Sequence, residues 1–409
     1  MSNKIIKIFN DFEIELIPNF TFVKIIIHKN NSNNIYESTF NLNYINKFVL
    51  NELISSIDDF IDTISLMIKQ KNITIEEYKN YLKLILNKGE LILNKQFIIL
   101  DNKSLILKKK KEIKVHEKSI TSISTFISGN FISVSNDKTI NIYNINLNII
   151  QKIKNAHNDY INYVDIKDEN NFVTCSYDKN IKTWIKKGNE FILNQIINNA
   201  HDDSINKVLY FSNKKLISCS YDKTIKIWEL TNQNTYQCIT SLYDSNYIFS
   251  ILLLEDKNIL ISSGVDGTKL YNLNNFEFII YIKEACCLSP NSLKRIDEDR
   301  IIIGGGCIDI MKIISISEKK IINEIENEFY RYGICIIKEK GIFLTGGRGG
   351  IIRIYKINNY QCIQIIENAY GDFNNYDIIP IINGIIELKN RLIITYSNDN
   401  NLKIWEFKD

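Results

Sequence analysis

The sequence predicts a mainly β chain, with a small α+β unit over residues 1–103 and a ring of seven four-stranded sheets over residues 104–409. Three observations carry that expectation. The composition is rich in Ile, Tyr and Asn, with only 3 Pro and few Ala, and β-branched and aromatic side chains favour pleated strands. From about residue 105 onward the chain repeats itself, whereas the first hundred residues do not. Within those hundred residues the apolar period changes from two to that of a helix and back again. With 45% hydrophobic and 24% charged residues the composition is that of a folded chain, which excludes a disordered one.

The first unit reads as strands, then helix, then strands. Residues 12–16 (Phe-Glu-Ile-Glu-Leu) alternate apolar and polar, and residues 20–27 and 35–40 also read as strands. From Leu42 onward Ile45, Val49, Leu53, Ile57, Phe60, Ile64 and Met67 fall on one helical face. Ser56-Ile-Asp-Asp59 inside that run has the composition of a helix cap, so one or two helices are expected. Residues 81–86, 90–93 and 96–100 return to strands. The helical face is expected to pack into the unit's own core, with a second partner or a dimer contact as the alternative.

The repeats are the most specific signal. Ser133-Val-Ser-Asn-Asp-Lys-Thr-Ile-Asn-Ile-Tyr143, Thr174-Cys-Ser-Tyr-Asp-Lys-Asn-Ile-Lys-Thr-Trp184 and Ser218-Cys-Ser-Tyr-Asp-Lys-Thr-Ile-Lys-Ile-Trp228 align without gaps, and Thr395-Tyr-Ser-Asn-Asp-Asn-Asn-Leu-Lys-Ile-Trp405 is a fourth copy. Weaker copies end near Tyr271, Ile313 and Tyr355. The terminal positions 143, 184, 228, 271, 313, 355 and 405 are separated by 41, 44, 43, 42, 42 and 50 residues. Within one copy, Thr224, Ile225, Lys226 and Ile227 alternate as a strand, and Leu216-Ile-Ser-Cys-Ser220 precedes them as another. Tyr221-Asp222-Lys223 makes the turn between, because a short carboxylate accepts nearby backbone N–H bonds. Residues 205–211 and 236–242 add two more strands, and four short strands without a helical period describe one propeller blade.

This period, closed by Trp or Tyr, resembles the WD40 repeat, and the resemblance covers about three quarters of the chain. It implies a buried hydrogen-bonded network of His, strand Ser or Thr, turn Asp and strand Trp in each full blade. In the third blade these are His201, either Ser218 or Ser220, Asp222 and Trp228; in the second, His157, Thr174 or Ser176, Asp178 and Trp184. The first has His116, Ser133 or Ser135, and Asp137, with Tyr143 in place of Trp. Asp266 in the fourth blade, and Asp399 with Trp405 in the seventh, keep parts of it. The fifth blade has no assigned turn Asp, Asp309 being ambiguous, and Gly349 stands where the sixth would carry one. The wide last spacing implies about eight extra residues around 374–380, as a longer loop on the His201 face. The resemblance also implies that a strand within residues 105–115 closes the ring beside residues 401–407. The first unit is similar to head modules that precede propellers in some protist proteins.

No H-E-x-x-H, G-x-S-x-G or G-x-x-x-x-G-K-[ST] is present, so no catalytic residue, cofactor or metal is expected. The Gly runs at 304–306 and 346–350 lead into strands and read as turn glycines, not as phosphate loops on a helix. The four lysines at 108–111 read as a solvated linker, with a nuclear-localisation patch as the alternative. Cys175, Cys219, Cys238 and Cys362 occupy repeated positions and read as small apolar residues of buried strands. A formal charge of +3 gives no case for a nucleic-acid or membrane-surface binder, and no apolar run approaches the ~20 residues of a membrane span. With no leading signal segment in view, the cytoplasm is the expected compartment and the nucleus the alternative.

The resemblance implies a non-catalytic scaffold or adaptor that binds proteins or peptides on its loop face. The residues before the turn Asp, which the family uses there, are Asn136, Tyr177, Tyr221, Val265, Arg348 and Asn398. After the His come Glu117, Asn158, Asp159, Tyr160, Asp202 and Asp203, with Tyr247 and Arg331 at comparable places. Tyr and Arg are the types that dominate binding hot spots. A partner segment with basic and acidic groups is therefore expected to meet the aromatic and acidic sector of blades 2 and 3, with Arg331 and Arg348 across the ring. A substrate receptor of a ubiquitin ligase and a subunit of an RNA-associated complex are the alternatives. Neither an F-box-like opening nor a basic stripe supports them.

Overall fold

The computed structural model describes seven strands within residues 4–96, by their backbone alone, and residues 106–408 apart from 213, 305–309, 327–330, 368 and 370–379. The side chains of Arg331 and Tyr332 are likewise outside the described set. By its contacts the chain divides into two compact units, Met1–Lys103 and Ser104–Asp409.

In the first unit the strands Lys4–Phe9, Phe12–Pro18, Phe22–Lys29 and Ile35–Asn41 form one antiparallel meander, and Ile73–Glu77, Tyr81–Leu86 and Gly89–Gln96 form another. The two join into a seven-stranded sheet where Ile35, Tyr36 and Glu37 pair with Gln96, Lys95 and Asn94. The strands read at 12–16, 20–27, 35–40, 81–86 and 90–93 coincide with five of these. The sequence reading missed Lys4–Phe9 and Ile73–Glu77, whose Ile-rich runs are too short to show a period. The helices expected over 42–67 and the strand over 96–100 lie outside the described residues, save Gln96 itself.

The second unit is a ring of seven antiparallel four-stranded blades. We letter the strands of each blade a to d, from the ring's axis to its rim. Blade 3, for example, comprises Ile205–Phe211, Lys215–Ser220, Thr224–Leu230 and Tyr236–Tyr243. The a strands of the other blades are Ile120–Thr125, Ile161–Asp168, Ile248–Leu254, Leu293–Arg295, Arg331–Ile337 and Ile382–Glu387. Strand d of blade 7 is Ile106–Lys114, which runs antiparallel to Asn401–Lys408 from the pair Asn401–Lys114 to the pair Lys408–Ile106. That pairing joins the two ends of the ring.

The core lies between blades, where the b strands are buried from their second residue at the latest and mix apolar side chains with small Ser, Thr and Cys. In blades 1, 2 and 6 the aromatic residue that ends the repeat stacks on a Phe of strand b: Phe131 on Tyr143 at 4.4 Å, Phe172 on Trp184 at 5.7 Å, Phe343 on Tyr355 at 4.9 Å. Burying such a side chain contributes about 1.5–3 kcal/mol, which explains why Tyr355 survives in blade 6, where Gly349 stands in place of the turn Asp. Around the axis, a side chain on the a strand of blades 1, 2, 3 and 7 reaches a backbone carbonyl of the next. Thr121 donates to Ile161, Asn162 to Ile205, Asn206 to Ile248 and Asn383 to Ile120, at 2.5–2.8 Å.

Three readings are corrected. The lysines at 108–111 belong to the ring-closing rim strand and not to a linker. Their exposed charges protect an outer edge that could otherwise pair with another chain. Cys238 is exposed and Cys362 half-buried because both sit on rim strands; Cys175 and Cys219, on b strands, are fully buried. Gly346 and Gly347 end strand b of blade 6, and only Gly349 and Gly350 turn, with φ of 89° and 64°. A Cβ on Gly346 would stand 2.6 Å from Ile382 of the next blade, so packing rather than the turn requires a glycine there. Among the described residues no helix is long and apolar enough to cross a membrane.

Candidate functional site

The repeated polar residues hold the loops that form the site. In blade 3, His201 Nδ1 lies 2.8 Å from Asp222 Oδ2 and its Nε2 lies 2.7 Å from Ser218 Oγ. Trp228 Nε1 donates to that same Oγ at 2.9 Å. An indole only donates and an ionised carboxylate only accepts. The direction is thereby fixed: Trp228 to Ser218, Ser218 to Nε2, and Nδ1–H to Asp222. Blade 2 repeats it with His157, Asp178, Thr174 and Trp184 at 2.9, 2.8 and 2.9 Å. In blade 1 the Tyr143 hydroxyl, 3.0 Å from Ser133 Oγ, replaces the indole. Ser218, Thr174 and Ser133 are thus the network members. Ser220, Ser176 and Ser135 instead accept the turn Asp's own backbone N–H.

Each turn carboxylate also accepts the backbone N–H of the residue after its His, and so ties loop to turn. Burial alone would raise these carboxyls, but hydrogen bonds and charge from the imidazoles outweigh it, with further donors adding. Asp178 is held down at about 2, and Asp137 and Asp222 well below the usual carboxylate range. Burial keeps the imidazoles of His157 and His201 below their ordinary value despite those carboxylates. Ser, His and Asp in this order are the parts of a nucleophilic triad. Here every Ser, Thr and His of the three sets is at most 1% exposed, and no acyl group can reach the hydroxyl. These trios brace the loops.

Asp266 and Asp399 have no imidazole. Asp266 accepts from Ser245 Oγ at 2.6 Å and Asn246 Nδ2 at 3.1 Å near the surface. In blade 7 the Lys403 ammonium stands 3.1 Å from Asp399 Oδ2, while Trp405 Nε1 still donates to Thr395 Oγ1 at 2.9 Å.

The loops so held carry a continuous aromatic arc. Tyr160 meets Tyr177 edge-on at 5.8 Å, Tyr177 lies 6.3 Å from Tyr221, and Tyr221 meets Tyr247 at 5.1 Å and Phe249 at 5.3 Å. Tyr160, Tyr177 and Tyr247 are 36%, 38% and 43% exposed, a large share for residues of this size. Lys118 caps one end, its ammonium 5.3 Å from the centre of the Tyr160 ring. The exposed Asp202 and Asp203 border the arc, and Asp159 and Asp203 each fold back to accept the next backbone N–H. Burial, with the neighbouring Tyr177 and Asp203, pushes the Tyr221 phenol up, so it stays neutral. Phe249 and Lys118 escaped sequence reading; Phe249 stands at the second position of its a strand, where blades 1, 2, 3 and 7 carry Thr121, Asn162, Asn206 and Asn383.

Inside the arc a cavity of about 310 Å³ opens on the axis, with Asn136 on its rim. Its floor is the segment linking blades 4 and 5. Pro290 O accepts from Lys207 Nζ and Ser250 Oγ at 3.0 Å each, and Asn291 Nδ2 donates to Thr121 O and Asn383 O, both at 3.0 Å. The segment therefore spans the mouth from blades 3 and 4 to blades 1 and 7. Arg348 is exposed on blade 6, bridged to Ile381. Asn398 is engaged, accepting the Ile381 N–H at 2.8 Å. The side chain of Arg331 and the expected long loop lie outside the described residues.

This ring, its aromatic stacking within blades and its His–Asp braces define a propeller of repeated β units. Residues 107–144, 149–184 and 194–229 match the family described as WD domain, G-beta repeat, so the chain carries WD40 repeats within its seven-bladed β-propeller. Each match begins on the rim strand of one blade and ends on strand c of the next, so the sequence repeat is offset from the structural one. No curated protein matches the chain. Propellers of this family commonly serve as protein-interaction scaffolds and are typically non-catalytic.

Proposed function

We propose that the chain is a non-catalytic scaffold or adaptor that grips a protein or peptide segment on the face carrying the His-side loops. The observation that carries this reading is the arc of Tyr160, Tyr177, Tyr221 and Tyr247, contiguous over three blades and exposed at its outer rings. Rigid aromatic side chains lose little conformational entropy on binding and bury large areas. The Asp202 and Asp203 carboxylates beside the arc suit a basic side chain of the partner, which aromatic faces also attract. Arg348, on the far side of the ring, suits an acidic one.

The test is a pull-down with the triple variant Tyr177→Ala, Tyr221→Ala, Arg348→Ala. A folded variant that loses the partners of the parent chain supports the reading. A folded variant that keeps them all defeats it.

A further inference from the structure

We propose that the opposite mouth of the channel is a binding site for a small phosphorylated ligand, a phosphate monoester of about nucleotide or sugar-phosphate size, held by Lys294 and Lys338. The a strands start beside the His-side loops, so their far ends, with the turns that follow, surround the other opening. There a cavity of about 470 Å³ lies between blades 5, 6 and 7, within the range of small-molecule sites.

Charge decides what fits. Four cations line this cavity, Lys294, Arg295, Lys338 and Arg391, against two carboxylates, Glu339 and Glu387. Arg391 is engaged by both carboxylates. Arg295 is held in a two-pronged bond by Asp256, at 2.6 and 2.7 Å. Lys294 and Lys338 are left without an anionic partner among the described residues. For Lys294 that is costly, since it is half-buried on strand a of blade 5 and burial pushes its amine below the ordinary value. The neighbouring charges that oppose this are weak. Burial raises the Cys335 thiol to about 12, so it carries no charge at neutral pH. Asp165, raised to about 6, is mostly ionised at neutral pH, but its charge is shared between Lys207 and Lys294, and among the described residues it forms a direct ion pair with neither.

A dianion supplies what two lone ammonium groups lack, and a metal cation would be repelled by the same set. A monocarboxylate would leave one ammonium uncompensated beside Glu339 and Glu387. The walls between the charges are Ile334, Ile336, Ile385 and Ile386, which suit the organic body of an ester better than bare phosphate. The site is independent of the aromatic arc, which belongs to the other mouth.

The experiment uses the full chain, with titration calorimetry and thermal unfolding against adenosine monophosphate, ribose 5-phosphate, inorganic phosphate and adenosine. At least one of the two esters should bind and raise the melting temperature, adenosine should not, and the affinity should fall as salt is raised. Lys294→Met should weaken the ester about tenfold or more, and should itself raise the melting temperature without ligand, because an uncompensated buried charge is removed. Lys338→Ala, at an exposed position, should weaken it severalfold with folding intact, and it serves as the test if Lys294→Met does not fold. The triple variant of the arc should bind the ester as the parent does. Absence of binding by both esters at millimolar concentration would overturn the proposal. So would equal affinity in the lysine variants, or capture only by vesicles bearing phosphatidylinositol phosphate and not by the free esters.

Discussion

At the scale of single residues, the His–Asp braces make opposite forecasts for acids that look alike in the sequence. Asp222 is tied to His201, Thr224 and the Asp202 N–H, whereas Asp266 meets only Ser245 and Asn246 near the surface. Asp222→Ala should cost about 1–3 kcal/mol, since it strands a buried imidazole donor. Asp266→Ala should cost less than about 1 kcal/mol, and urea unfolding of the two variants checks the contrast. The braces also fix a pH dependence. An unfolded imidazole takes up a proton below about 6.5, and those of His157 and His201 resist it in the fold. Protons thus bind the unfolded chain preferentially, and this contribution to stability falls as pH drops below about 6.5. The depressed carboxylates add a second loss below about pH 4, with the same sign. Asp165, raised to about 6, works the other way between about 4 and 6. Melting temperatures of the parent and of His157→Asn, His201→Asn, compared from pH 7.5 to 5, isolate the imidazoles. The parent should lose more stability than the variant across that range. These partners were legible because the repeat sets them at a constant offset. Which of two serines joins was not, since both lie on the same strand and only the three-dimensional fold shows which one faces the imidazole.

At the scale of elements, the degenerate blades hold through packing that replaces polar braces. Blades 6 and 7 approach closely where Gly333 faces Gly384: a Cβ on Gly333 would stand 2.6 Å from the Gly384 Cα, and one on Gly384 would fall 2.0 Å from the hydroxyl of Tyr396 in its own blade. Gly384→Ala should therefore cost about 3 kcal/mol, an unusual figure for adding one methyl to a strand, and thermal unfolding measures it. A rim device is just as local. Both amide atoms of Gln151 bond the backbone of Phe191 at 2.8 Å, and those of Gln364 bond Leu107 at 3.0 and 3.3 Å, each linking neighbouring outer strands. None of this was readable beforehand. A glycine in sequence does not say whether a turn or a neighbouring backbone demands it, and a surface glutamine does not announce its acceptor. The strands themselves were legible where Ile and Thr alternate, and the lysines at 108–111 misled because charge on a rim strand imitates a linker.

At the scale of the molecule, the ring is joined by two segments nearly three hundred positions apart, Ile106–Lys114 and Asn401–Lys408. Contacts of such separation slow folding, because a long chain must be closed before they form. A permuted chain with residues 106–114 placed after Lys408 should refold faster than the parent at similar stability, as stopped-flow fluorescence would show. Leu107 latches this joint, 2% exposed in a cluster with Trp405, so Leu107→Ala should cost about 2–3 kcal/mol. The sevenfold count was visible in the spacing of the terminal positions, six of them aromatic and the other Ile313. The crossing of the axis by Pro290 and Asn291 was not, because these residues lie outside the repeat and their partners are spread over four blades. That crossing stands between the cavities at the two ends of the ring. Nothing need be threaded through it, and a guest seated at one end leaves the other vacant for a second.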